Sequence, residues 1–171
     1  SSLSVIEKLE PSEYILNLDN FIIQLKIKKD EVKNKIIFDF RGSNAENNNN
    51  YNAPIPITKA VIMFVIRCLI NDSIPLNSGL LQSVEIVLDD NSFLNPSSDA
   101  AVSAGNVEIS QALANCIFAA IGNKASCQST MNNLILGNSE FQYYETICGG
   151  QGAHRDHDGQ DAVQTNMTNS R

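Results

Sequence analysis

The sequence has no long uninterrupted apolar run. Its longest, Ala60–Ile70, is broken by Arg67 and falls short of the roughly 20 residues a helix needs to cross hydrocarbon. A membrane-spanning helix is excluded on that count, and a soluble protein is expected. Basic residues are also scarce: 12 Lys and Arg face 19 Asp and Glu, for a formal net charge of -7, and the lysines fall mainly within Lys26–Lys35. No broad basic face is available for a polyanion, which argues against nucleic acid as a partner. Residues Ser1–Glu10 lack the basic stretch, apolar core and small-residue cleavage site of a secretory signal. Cys68, Cys116, Cys127 and Cys148 form no CxxC pair, so reduced thiols in a cytoplasmic protein are expected rather than a zinc or redox site. The sequons at Asn71 and Asn166 then carry little weight, because glycosylation requires a secretory route that the sequence does not advertise.

The common catalytic signatures are missing too. The chain contains no GxxxxGK[ST], no GxGxxG after a strand, no GxSxG and no HExxH, so those familiar loops do not bind ATP or a dinucleotide here.

What is present is enough apolar residue, 43% of 171, for one packed domain over 1–171. The segments Phe21–Lys28 and Lys35–Phe40 predict an antiparallel hairpin. The tract Asn47–Asn50 predicts a polar surface loop. Pro54 and Pro56 keep the next residues extended, after which Thr58 is placed to cap a buried helix over Lys59–Ile70. A turn at Pro75–Gly79 and a short strand at Ser83–Leu88 follow. Over Val107–Ile121 the apolar positions Ile109, Leu113, Cys116, Ile117 and Ala120 recur at helical spacing, with Asn106 placed to cap the start and Gly122 to end it. Thr130–Leu136 and Phe141–Ile147 read as strands joined through Gly137-Asn138. Beyond Gly149 irregular chain is expected, with a short strand at Ala162–Asn166. This order predicts an α+β fold: a largely antiparallel sheet with two main helices packed on it, burying Ile62, Val65, Leu69, Leu113 and Ile117.

Several polar runs sit in apolar surroundings: Asn106-Val107-Glu108 with Ser110-Gln111, Thr130-Met131-Asn132-Asn133, and Tyr143-Tyr144-Glu145-Thr146. Amides and carboxylates in such settings are costly to bury unless they bond one another or a ligand. They either brace loops or line a polar cavity, and a cavity requires Glu108, Asn132, Asn133 and Glu145 to converge. Gly149-Gly150-Gln151-Gly152 offers backbone amides to an anion, although a plain turn is the simpler reading. His154, Asp156, His157 and Asp158 carry metal-ligand chemistry without an established ligand spacing, so a solvated loop is the simpler reading there. Cys148 lacks an identifiable activating base.

Taken in order, these strings carry a resemblance. Asn52-Ala53-Pro54, Arg67-Cys68-Leu69 with Ile74-Pro75-Leu76-Asn77-Ser78-Gly79, Leu94-Asn95-Pro96, Ala104-Gly105-Asn106-Val107-Glu108, Thr130-Met131-Asn132-Asn133, Tyr143-Tyr144-Glu145-Thr146-Ile147 with Gly149-Gly150, Asp158-Gly159 and Met167-Thr168-Asn169 resemble the B component of N-methylhydantoinases. That component also occurs in 5-oxoprolinases and in acetone and acetophenone carboxylases. Where such proteins commonly read GTMNN this chain has Ser129. Where they favour histidines near a MTN string it has Gln164, Asn166 and Ser170.

The resemblance implies a division of labour. An A component of the ATPase type activates a carbonyl by phosphorylation, and the B component completes hydrolysis of a cyclic amide. Glu145 and Glu108 become the catalytic candidates, and Asn106, Asn132, Asn133 and Thr146 the substrate-binding ones. ATP is expected on the partner component. A divalent metal is expected on residues upstream of the matching part, with no cofactor on this chain. The chain then reads as a C-terminal-half fragment, inactive by itself and leaving exposed apolar surface. A carboxylase-type subunit, or a non-catalytic degenerate domain that binds the ATPase, are the alternatives.

Overall fold

A computed structural model describes residues 8–19, 21–70, 75, 77–122 and 124–165. The expectations at Asn71, Ile74, Leu76 and Asn166–Asn169 lie outside these residues. Strands β1 (Ser12–Leu18), β2 (Phe21–Asp30), β3 (Lys35–Asp39) and β4 (Val84–Val87) form one sheet in the order β1-β2-β3-β4. The first two pairings are antiparallel and β3 pairs with β4 in parallel. Helix α1 (Ile55–Leu69) lies in the crossover that a parallel pair requires. Helix α2 (Ser110–Ile121) packs on α1, β1 and β2. A separate antiparallel hairpin pairs β5 (Asn133–Gly137) with β6 (Gln142–Thr146).

Alternation along β2 explains the sheet's two faces. Phe21, Ile23, Leu25 and Ile27 are buried, while the residues between them face outward. Ile36 and Phe38 of β3 continue the buried face, against which Ile62, Val65 and Ile66 of α1 and Leu113, Cys116 and Ile117 of α2 close the core. Cutting one of these, as in Ile117→Ala, costs roughly 2–5 kcal/mol through lost transfer energy and an unfilled cavity. Leu69, expected in the core, is only half-buried because it lies in the last turn of α1.

The structure corrects several sequence expectations. The sequence reading placed no strand before Phe21, yet Ser12–Leu18 forms β1 at the sheet edge. Helix α1 starts four residues earlier than expected, with Pro54 as its N-cap and Pro56 in the first turn, where a missing N–H leaves no bond unmade. Thr58 is therefore not the cap: it is buried inside the helix, and its hydroxyl has no partner among the described residues. Asn106 does not cap α2 either. It lies within a π-helical turn, Gly105–Ile109, that runs directly into the helix. Gly122 ends α2 in the left-handed conformation, as its position predicts. The hairpin strands are shorter than expected and exposed. Residues 162–165 are irregular. No helix among the described residues is long and apolar enough to cross a membrane.

Candidate functional site

The π-turn is the local feature around which the polar groups gather. Gly105 packs so closely on the preceding loop that a Cβ there would lie 2.6 Å from the carbonyl oxygen of Asn52 and 3.1 Å from Ala53 Cα. Only glycine fits that approach. Asn52 is itself fully buried, and its side-chain amide donates to the carbonyls of Asn47, Asn49 and Ala101, while its Oδ1 accepts from Asn47 N. A loop rich in asparagine is thus rigidly bonded where it meets the turn. The wider π register leaves Val107 O to accept from Met131 N at 3.1 Å, a partner outside the helix. Single π-turns of this kind are frequent at functional sites.

Glu108, in the same turn, accepts a hydrogen bond at Oε1 from Thr130 Oγ1 at 2.6 Å. Together with the Met131 contact, this holds the segment 130–133 against the start of α2. Asn132 Nδ2 donates to Gln128 Oε1 at 2.8 Å, and Gln128 Nε2 donates to Thr130 O at 3.1 Å. Asn133 is bonded on every side. Its Nδ2 donates to Met131 O, and its Oδ1 accepts from Tyr144 OH at 2.7 Å and from Thr146 Oγ1 at 3.3 Å.

The candidate residues divide accordingly. Glu108 and Asn132 belong to one network joined through residues 128–130, and Asn133 and Thr146 belong to a second at the base of the hairpin. Glu145 stands apart from that second pair. It pairs in register with Leu134 while Asn133 pairs with Thr146, so its side chain leaves the opposite face of the ribbon. There it accepts from Tyr143 OH, which raises the pKa of that phenol. Asn106 is exposed, lines a groove with Ile57, Ala60, Val61 and Phe64, and its side chain has no partner among the described residues. Among the described residues, the groups around the π-turn with capacity left for a ligand are the Asn106 amide, Asn132 Oδ1 and the second oxygen of Glu108, and on the other face of the hairpin Glu145 keeps one carboxylate oxygen free.

One organising residue was not singled out from the sequence. Asn115, buried in α2, donates to Cys127 O at 2.7 Å and to Ser129 Oγ at 3.2 Å, and accepts from Cys127 N at 3.1 Å. It fixes the loop that delivers Gln128 and Thr130. A second buried amide one turn after Gln111 was the available signal. The glycines after β6 have a packing reason: a Cβ at Gly149 would lie 1.7 Å from Gln128 Oε1, so the chain passes directly over this loop.

Among the described residues, no three His, Cys, Asp or Glu side chains cluster to hold a metal ion. His154 and His157 stack with ring centroids 4.9 Å apart, and His154 N donates to His157 O. The two residues close a surface turn. Cys148 is half-buried, and burial pushes the Cys116 thiol up to about 12.

Comparison with known proteins identifies the family. Residues 3–171 match the family described as hydantoinase B/oxoprolinase, and the chain belongs to that family. It is 45% identical to 5-oxoprolinase 1 of Arabidopsis thaliana over 153 residues, covering 90% of this chain and 12% of the plant protein. It is 40% identical to the 5-oxoprolinase of Dictyostelium discoideum over 173 residues, covering 99% of this chain and 14% of that protein. The chain therefore spans about an eighth of these relatives. The fold is also that of part of a solved ATP-dependent caprolactamase from Pseudomonas jessenii, with a TM-score of 0.70 at 15% identity, over 95% of this chain and 32% of the other.

Proposed function

We propose that this chain contributes a substrate-facing part of the B component of a cytoplasmic, ATP-dependent hydrolase of cyclic amides of the 5-oxoprolinase type. The observation that carries the reading is the 40–45% identity to two proteins named 5-oxoprolinase, over 90% and 99% of the chain. In this reading the ATPase-type A component phosphorylates the amide oxygen and so makes the ring carbon electrophilic. The B component then completes the opening of the ring. Any divalent metal is supplied by polypeptide outside these residues.

The residues present have defined tasks. Glu108, held by Thr130, keeps one carboxylate oxygen free to accept a proton from attacking water or to anchor the ring N–H. Asn132 offers Oδ1 to the ring N–H, and Asn106 offers a carboxamide from the adjacent turn. Asn133 and Thr146 set the position of these groups by tying the hairpin to residue 131. Glu145 acts from the other face of the hairpin, as an acid, base or anchor toward whatever lies there.

The test is turnover of 5-oxoproline, hydantoin and caprolactam with ATP and Mg²⁺, by the 171-residue chain alone, with an A component, and within a longer B polypeptide. ATP-dependent ring opening that appears only in the longer assembly supports the reading. Turnover by the isolated chain, or bicarbonate-dependent consumption of a small ketone in place of ring opening, would overturn it.

A further inference from the structure

The β5–β6 hairpin is built like a piece of core, yet it is open to solvent. Leu134, Leu136 and Tyr143 share one face by register, and Phe141 and Ile147 extend that alternation at either end of β6. Their exposures run from 39% to 53%, and Ile135 and Tyr144 on the other face reach 71% and 60%. At about 200 Å² for a large side chain, the uncovered apolar area is several hundred Å², the scale of an interaction site rather than of ordinary surface.

Both edges of the hairpin are also unpaired among the described residues. Ile147 N donates to Asn132 O, and Asn138 N to Phe141 O, so the bonded pairs between them are Leu134 with Glu145 and Leu136 with Tyr143. The amides of Asn133 and Ile135 on one edge, and of Gln142, Tyr144 and Thr146 on the other, point outward. Neither strand carries a Lys, an Arg or a Pro, the residues that blunt natural edges. Glu145 is the single charge, and Tyr143 already holds it.

From these features we infer that the hairpin is a docking element for another β-strand, one supplied by the polypeptide that relatives carry outside the matched segment. The relatives place this segment in chains of which it is 12–14%, and the caprolactamase places the fold in a chain of which it is 32%. Such chains hold ample polypeptide to cover it. The incoming strand adds backbone hydrogen bonds at one edge and sets alternate apolar side chains beside those of the strand it joins, Leu134 and Leu136 on the β5 edge or Tyr143 on the β6 edge.

Hydrogen exchange distinguishes the possibilities. The outward amides at 133 and 135, or at 142, 144 and 146, should exchange at least 100-fold more slowly in a full-length relative, at the aligned positions, than in the 171-residue chain. Replacing Leu134 and Leu136 by glutamate should leave the melting temperature of the 171-residue chain within about 1 °C, because both side chains already face water. The aligned substitutions should lower that of the full-length relative by several degrees. Equal exchange in both proteins overturns the inference. So does protection in the 171-residue chain that rises with its own concentration, which would identify a second copy as the occupant.

Discussion

Asp39 and Arg41, two residues apart at the end of β3, form a bidentate pair. Arg41 Nε donates to Oδ1 at 2.8 Å and an Nη to Oδ2 at 2.7 Å. Lys28 Nζ, from the neighbouring strand β2, donates to Oδ2 at 2.7 Å. The backbone continues the cluster, since Gly42 N donates to Asp89 just beyond β4. The carboxylate is buried while both cations face solvent. A charge is tolerated at that depth because each of its oxygens is bonded.

Acid should therefore weaken the fold through Asp39. The Arg41 guanidinium holds this carboxyl well below the usual range, with Lys28 assisting and burial opposing. A group whose folded pKa is depressed stabilises the fold fully above its unfolded pKa, about 3.9, and the contribution is lost as pH falls below that value. Asp39→Asn should cost about 1–2 kcal/mol at pH 7, toward the lower end for charged hydrogen bonds because the cations are solvated. Urea unfolding from pH 2.5 to 7 should show a shallower acid limb in the variant. An unchanged limb would mean that other carboxylates govern acid sensitivity.

Gly105→Ala tests whether close packing enforces the π-turn. The added methyl meets backbone atoms of Asn52 and Ala53, which the bonded asparagine loop cannot easily move. Overpacking of this kind costs about 1–3 kcal/mol. Thermal melting should show that loss, and amide resonances of 105–109 and 131 should shift together, because Met131 is bonded to the turn. A variant that melts like the parent would show that the loop yields.

Thiol chemistry should separate the cysteines by burial. Cys116 is enclosed between α2 and the sheet, and its thiol is pushed up to about 12, so at pH 8 almost none of it is thiolate. Cys68 is exposed. Iodoacetamide followed by mass spectrometry should mark Cys68 within the native lifetime and Cys116 only after unfolding. Native labelling of Cys116 would show that α2 opens readily.

What the sequence revealed, and what it hid, follows from the range of the interactions involved. Ile109, Leu113 and Ile117 recur at helical spacing, so α2 was visible in a single window, and Gly122 marked its end. The hairpin of β2 and β3 was equally local. The edge strand β1 was missed because Ser12–Leu18 mixes polar and apolar residues and leaves Ile15 exposed, so its alternation is weak without the neighbour that pairs with it. The parallel pairing of β3 with β4 spans the whole of α1 and has no local signature. The same holds in the site. Glu108 and Asn132 stood out as polar residues in apolar runs, but their link through Thr130 and Gln128 depends on Asn115, which is buried with Ser110 and Gln111 in a helix whose other buried positions are apolar.

Glu108 and Thr130 offer the sharpest test of the proposed site, because the same hydrogen bond can serve stability or chemistry. Thr130→Val removes the donor and keeps the shape, so it should cost about 1 kcal/mol of stability, and Glu108→Gln should cost a similar amount. A double-mutant cycle in the 171-residue chain would isolate the coupling between them. In the assembled enzyme the two should diverge. If the free oxygen of Glu108 takes the proton from water, Glu108→Gln should lower kcat about 10²–10⁴-fold, with KM little changed and the pH profile losing its acid limb. Thr130→Val, which only releases the carboxylate from its position, should lower kcat far less and preserve that limb. Equal, small effects of both variants on kcat would assign Glu108 to bracing the loop and leave the proton transfer to another group.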